Sequence, residues 1–250
     1  MKLSHECPID ILSTVQQYTD YDYCLLHMLL SDPVYREWFS SQARKEYLIL
    51  DNSAYELGAG LTGDKIVEGY NLIKPEYVVA PDVVKDTYTT IENFKEFKEK
   101  YGSKVGKIGG VVQGKTWNEF VNCLNFMFEN ADLVMIPAGI FKQGLDRVTT
   151  IYRAKAAGYW REDKPVHLLG CKELQEYHFY DSTILPNIIS TDTSSPVQYA
   201  IETGLYPENI LDYAKPKNMV DYNHKTKNPE IESIISNIKS FKNFFKEEGL

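Results

Sequence analysis

Six positions in the chain combine residue types that could do chemistry with a place just after a short apolar run. Asp51 follows the run 47–50, Asp82 follows 77–80, and Gln113-Gly114 follows 107–112. Pro137-Ala138-Gly139 follows 132–136, Gly170 follows 166–169, and Asp192 follows 187–191. Carboxylates without a metal can carry out substitution at an acetal-like carbon, one as nucleophile and another moving the proton. A third carboxylate with a glutamine suits a purine. The carboxylate accepts from N1–H and the exocyclic N–H2 of guanine, and the glutamine offers both a donor and an acceptor. Glycines at such positions let a planar ligand approach backbone N–H groups.

Each position also has a plainer reading. An aspartate after a strand is commonly a helix cap or a turn residue, and Asp82 and Asp192 fit that role. Gln113 can be a turn polar group. His167, inside an apolar run, reads as a satisfied core histidine. What favours a site is the coincidence of Asp, Asp, Gln, Gly, Gly and Asp at six consecutive run ends. Lys115 and Lys142 stand beside run ends and read equally as phosphate contacts or solvated lysines. Tyr55 reads as a stacking face for a base or as a core aromatic. The five histidines (His5, His27, His167, His178, His224) form no metal-ligand spacing, so no metal or cofactor is expected, an acidic magnesium site being the open alternative. Phosphate-loop and nucleophile-elbow motifs are absent. Residues 58–63 spell Gly-x-Gly-x-x-Gly, but several positions beyond the run end, where the dinucleotide fingerprint loses its meaning.

The elements that must hold these positions alternate along the chain. Strand-like runs at 24–30, 47–50, 77–80, 107–112, 132–136, 166–169 and 187–191, with a weaker eighth at 209–211, are separated by segments of helical spacing. Helices are expected near 33–45, 64–73, 87–101, 116–129, 145–157, from 172, and to 202 after a Ser194-Ser195-Pro196 cap. A terminal amphipathic helix near 229–247 carries Ile231, Ile234, Ile235, Ile238, Phe241 and Phe245 on one face. Eight such units predict a (β/α)8 barrel, with an open doubly wound sheet as the alternative. They leave little room for a second domain, so residues 1–250 read as one barrel. In both architectures ligands bind at the C-terminal ends of parallel strands, where the six positions fall.

Composition narrows the class. The 250 residues carry 27 Lys+Arg against 35 Asp+Glu, a net charge of −8, with 43% hydrophobic residues. That is the composition of a folded chain, and it argues against bulk electrostatic binding to nucleic acid or anionic membrane while leaving room for a local basic patch. Cys7, Cys24, Cys123 and Cys171 are scattered, which argues against a zinc ribbon or disulfide framework and for a reducing cytoplasm. No apolar leader or membrane-length run is present.

The ordered set resembles the guanine transglycosylases, (β/α)8 enzymes that exchange guanine for a 7-deazaguanine base on tRNA or, in one branch, on DNA. Leu50-Asp51-Asn52-Ser53-Ala54-Tyr55-Glu56 resembles their T-D-S-G-G-F-Q segment, Ala80-Pro81-Asp82 the strand end whose aspartate reads the purine, and Val111-Val112-Gln113-Gly114 their I-V-Q-G block. Ile136-Pro137-Ala138-Gly139 stands where the family has a Gly-Gly backbone donor, Leu168-Leu169-Gly170 resembles its L-M-G block, and Ser190-Thr191-Asp192 stands at its nucleophile. The order holds over 50–192. The phrases Leu-Asp-Asn-Ser-Ala-Tyr-Glu, Ala-Pro-Asp-Val and Val-Val-Gln-Gly-Lys-Thr-Trp favour the short, often phage-borne branch called deoxypurine-in-DNA protein A.

The resemblance implies Asp192 as nucleophile and Asp51 as general acid/base. It implies base contacts from Asp82, Gln113, Gly114, Gly139, Asn52, Tyr55 and Gly170. The implied partners are DNA, or alternatively tRNA, a preQ0-like 7-deazaguanine base, and a protein partner or second copy. The alternatives are exchange on tRNA or a nucleoside, and a non-catalytic barrel that binds a purine or partners a catalytic subunit. Three departures stand out: the tRNA enzymes' C-x-C-x-x-C…H zinc subdomain is missing, Ala138-Gly139 replaces Gly-Gly, and Thr-Ser-Ser-Pro follows Asp192.

Overall fold

A computed structural model describes residues 1–41, 44–45, 47–139, 146–171, 174–213 and 216–250. Its strands are β1 (Lys2–His5), β2 (Asp22–Leu25), β3 (Leu48–Asp51), β4 (Tyr77–Val79), β5 (Lys107–Val111), β6 (Leu133–Pro137), β7 (Val166–Leu169) and β8 (Ile188–Thr193). They form one parallel sheet in the order β1-β8-β7-β6-β5-β4-β3-β2. Most of these strands are buried along nearly their whole length, which explains why they read as continuous apolar runs rather than alternating ones. The sheet curls until β1 faces β2. There the closure is made by Asp20, just ahead of β2: its N–H donates to the Leu3 carbonyl at 2.7 Å and its Oδ2 accepts from the Leu3 N–H at 3.0 Å. This is a nearly closed (β/α)8 barrel.

The helices are α1 (Leu12–Val15), α2 (Leu26–Ser31), α3 (Pro33–Ser40), α4 (Ala54–Leu57), α5 (Gly63–Ile73), α6 (Thr87–Tyr101), α7 (Trp117–Asn130), α8 (Arg147–Ala156), α9 (Ser195–Glu202) and α10 (Asn228–Glu247). Asp32, Asp86 and Asp146 cap α3, α6 and α8, each side chain accepting a backbone N–H three residues on, and Thr116 with Glu119 forms a capping box on α7. The caps therefore fall on other residues than the three strand-end aspartates. The buried stripe of α10 (Ile234, Ile238, Phe241, Phe245) packs on the barrel beside α9.

Four expectations about elements need correction. The run 24–30 is not one strand: β2 ends at Leu25 and α2 begins at Leu26, because residues on every side of this short stretch are buried and periodicity cannot separate strand from helix. The strand expected at 209–211 is a 3₁₀ turn (Ile210–Asp212). The eighth strand is instead Lys2–His5, and all the numbering shifts by one. Ser194 makes no side-chain cap; the Thr193 hydroxyl accepts the Ser195 N–H at 3.0 Å instead, while Pro196 does sit in the first turn of α9. The segment after β7 is a 3₁₀ helix (Leu174–Phe179) rather than an α-helix. Lys142, Leu145 and Lys172 lie outside the described residues.

Candidate active site

The strand ends place Asp51, Asp82, Gln113, Gly170 and Asp192 around the C-terminal mouth of the barrel. Asp51 ends β3 and is buried. Its Oδ1 accepts the Tyr23 hydroxyl at 2.8 Å and its Oδ2 accepts the Ser53 N–H at 2.7 Å. Ser53 makes the second bond by adopting a left-handed backbone, φ 63°, an uncommon cost for a side chain other than glycine, asparagine or aspartate. Burial, and then the charge of Glu56, push the Asp51 carboxyl up to about 8, so it holds its proton at neutral pH.

Asp82 follows β4 and is also buried. Oδ1 accepts from Asn52 Nδ2 at 2.8 Å and Oδ2 from Gln113 Nε2 at 2.7 Å. Burial raises its proton affinity against these two amides. Asn52 also donates to the Ala80 carbonyl at 2.6 Å and accepts the Ala54 N–H at 2.8 Å. Gln113 Oε1 accepts the Lys85 N–H at 2.8 Å. Both amides are thus oriented by the protein: carboxamide oxygens face backbone N–H groups and amide nitrogens face Asp82. Each Asp82 oxygen keeps a further lone pair for a ligand's N–H.

Asp192, in β8, is anchored through one oxygen. Oδ1 lies 3.0 Å from His167 Nε2 and accepts the Gly170 N–H at 3.1 Å. A carboxylate only accepts, so His167 Nε2 carries a hydrogen. The other ring nitrogen, Nδ1, is 2.9 Å from Ser190 Oγ. No described residue hydrogen-bonds Oδ2 of Asp192, which leaves that oxygen available to a ligand. Gly170 reaches Asp192 with φ 67°, a conformation glycine adopts without strain. The Tyr23 ring stacks on His167 with centroids 5.7 Å apart, so one aromatic pair joins the Asp51 and Asp192 supports.

The remaining expected residues divide. Tyr55 on α4 is 73% exposed, so it is no core aromatic and its face is open to a ligand. Gly139 is exposed at the end of β6, and no described residue comes within 4 Å of where a Cβ would stand. Gly114 packs tightly instead: a Cβ there would stand 2.8 Å from the Phe120 nitrogen, so the glycine lets α7 start close to β5. Lys115 is exposed at the same end.

Several residues of the mouth carry no signal in the sequence. Glu6 follows β1, is partly buried, and accepts the Tyr222 hydroxyl. Burial, Asp192 and Glu56 raise its proton affinity well above the ordinary carboxylate range. Finding it required recognising β1. Tyr23 could have been found only by ending the first apolar run at Leu25. Arg147, at the start of α8, is fully buried. It donates to the carbonyls of Ile136 at 3.0 Å, Leu169 at 2.9 Å and Gly170 at 2.8 Å, and pairs with Glu176. It ties the ends of β6 and β7 together beneath Gly170. Arg147→Met leaves those carbonyls and Glu176 without their charged donor. It is expected to cost about 3–5 kcal/mol, read in thermal unfolding as a fall in Tm of about 6–20 °C.

Among the described residues, no group of three His, Cys, Asp or Glu side chains is arranged to hold a metal ion, and no helix is long and apolar enough to cross a membrane. No model of a known protein family and no curated protein sequence matches the chain. Its chemistry is therefore read from the mouth itself.

Proposed function

We propose that the chain is a base-exchange glycosyltransferase of the guanine transglycosylase kind, replacing guanine in DNA with a 7-deazaguanine base. One observation carries this reading. Asp192 is anchored by one oxygen while no described residue bonds the other, and Asp51, joined to it through the Tyr23–His167 stack, holds a proton at neutral pH. A nucleophile and an acid are thus set apart by their surroundings.

Asp192 Oδ2 attacks C1′ of an extrahelical deoxyguanosine. The C1′–O bond forms as C1′–N9 breaks, guanine departs with the bonding pair, and Asp51 gives it a proton. The entering base then returns its N9 proton to Asp51 and attacks C1′, and the C1′–O bond breaks with its electrons returning to Asp192. The covalent intermediate divides one hard displacement into two. Asp82, steadied by Asn52 and Gln113, accepts from the purine N1–H and exocyclic amine of each base in turn. Exposed Tyr55 offers a stacking face, and Gly139 a backbone N–H to the ring carbonyl. Extruding the nucleotide from a duplex costs a few kcal/mol. With a net charge of −8, docking relies on a local basic rim or on a partner protein or second copy.

Incubation of the full chain with labelled guanine or preQ0 and, in separate arms, duplex DNA, tRNA and free nucleoside tests the reading. Label entering DNA is the expected result. Label entering only tRNA or nucleoside reassigns the substrate. No label in any arm, with the protein folded, leaves a purine-binding barrel and removes the enzymatic reading.

A further inference from the structure

We propose that Lys85 is a positioning residue of this site, whose backbone N–H, aimed by a left-handed turn, fixes which way the Gln113 amide faces Asp82. The proposal rests on the purine-exchange reading above for its meaning in recognition, but its primary test does not.

Among the described residues, three other than glycine hold a left-handed backbone: Ser53 at φ 63°, Lys74 at φ 43° and Lys85 at φ 64°. Lys74 closes the end of α5, where that conformation is ordinary. The other two stand at the barrel mouth, and each sends its N–H to a side chain of the site. Ser53 donates to Asp51, and Lys85 donates to Gln113 Oε1 at 2.8 Å. A left-handed backbone is disfavoured for residues that carry a side chain, and such conformations gather where a site needs the geometry.

The loop that carries Lys85 is pinned on each side. The Asp82 carbonyl accepts the Gly60 N–H at 2.9 Å, and the Val83 N–H reaches Thr90 Oγ1 at 3.0 Å. The Asp86 N–H closes a turn on the Val83 carbonyl at 3.0 Å. Lys85 is the third residue of that turn, a place where positive φ ordinarily calls for glycine. Just beyond it, the Thr87 hydroxyl donates to the Gln113 carbonyl at 2.6 Å. Residues 85 and 87 thus hold Gln113 by its side chain and by its backbone.

The bond from Lys85 decides the direction of the amide. A backbone N–H only donates, so Gln113 turns its oxygen to Lys85 and its nitrogen to Asp82 Oδ2, 2.7 Å away. The Ala54 N–H imposes the same direction on Asn52 at 2.8 Å. With both amides donating, Asp82 is left as an acceptor. The site then favours a ligand edge with two N–H groups, which guanine has at N1 and its amine and adenine lacks. Released from Lys85, Gln113 can turn over and offer its oxygen to a protonated Asp82, and that preference weakens.

The test compares substitutions that all remove the ammonium and differ in the backbone they allow. Glycine takes the left-handed conformation freely, and valine, branched at Cβ, resists it. The Gln113 side-chain amide is followed by ¹H–¹⁵N NMR, its signal assigned by loss in Gln113→Glu. Lys85→Gly should keep the native position of that signal. Lys85→Val, with Lys85→Thr as a second branched variant should the first not fold, should move it toward the position of a free amide. Equilibrium binding of labelled guanine and adenine should follow the signal. The preference for guanine should survive in Lys85→Gly and fall about tenfold in the branched variants. An amide signal that stays put in a folded branched variant overturns the proposal, as does one that moves equally in Lys85→Gly. A signal that moves only in the branched variants, when the native protein binds neither base, upholds the Lys85–Gln113 coupling while refuting the purine-exchange reading. The two failures are therefore distinguishable.

Discussion

Asp192→Asn should abolish base exchange, lowering the rate by at least about 10⁴-fold, and should leave the fold intact. The subtraction is clean because of how Asp192 is held. Both hydrogen bonds it receives from described residues, from His167 Nε2 and the Gly170 N–H, end on Oδ1. An asparagine can present its single carbonyl oxygen to the same two donors. Its amide nitrogen then replaces the unbonded oxygen and cannot attack C1′. In native protein, DNA incubated without an entering base should accumulate as a covalent adduct, seen as a denaturant-stable shift of the labelled strand. The variant should form none while unfolding at an unchanged temperature. Full activity in the variant would remove Asp192 from the chemistry.

The second large effect is expected at Asp51, in opposite directions for activity and stability. Asp51→Asn removes the proton donor and should slow exchange by about 10²–10⁴-fold. The same change should make stability less dependent on pH. The Asp51 carboxyl is raised from 3.8 to about 8 in the folded protein. Between those values the unfolded chain releases its proton while the folded chain keeps it, so native stability falls as pH rises and levels off above about 8. The accumulated cost is roughly 4 kcal/mol by pH 7. Asparagine carries no such linkage. It turns an amide nitrogen toward either Tyr23 or Ser53, a penalty of about 1–3 kcal/mol that does not vary with pH. The stability of the variant relative to native protein should therefore increase by roughly 4 kcal/mol between pH 4 and pH 7. Urea unfolding at several pH values measures this directly. A pH-independent difference would mean that Asp51 ionises normally.

Much of the site's frame was legible in the sequence, for reasons that can be traced to particular residues. Strands buried on both faces leave unbroken apolar runs, so β3 to β8 stand out, and the end of each run marks the residue that closes it. The helix over 87–101 was legible because Ile91, Phe94, Phe97 and Tyr101 recur at helical spacing, and they share its buried face. β1 was not, because Lys-Leu-Ser-His has one aliphatic residue in four. Its burial comes from β8, about 190 residues away in sequence, and no local pattern reports that. Glu6 was lost with it. Gln113 and Asn52 stand out at run ends in the sequence, but in the fold their amides are committed to Asp82, and only geometry distinguishes a side chain open to a ligand from one that aims its neighbour. Gly114 matched a motif letter and proved to serve helix packing.

The pairing of β1 with β8 also governs when the site can exist. A chain made at roughly 5–20 residues per second releases β1 first and Ile188–Thr193 near the end. The first strand thus waits roughly 10–40 s for its neighbour. Until then Glu6 has no Thr193 carbonyl to receive its N–H, a bond of 3.1 Å in the finished barrel. Asp192 has not yet met the His167 and Gly170 that orient it. Only when β1 meets β8 does Glu6 come to lie beside Asp192. The proximity of Asp192 that helps raise the Glu6 carboxyl therefore cannot exist until β8 has been made and paired.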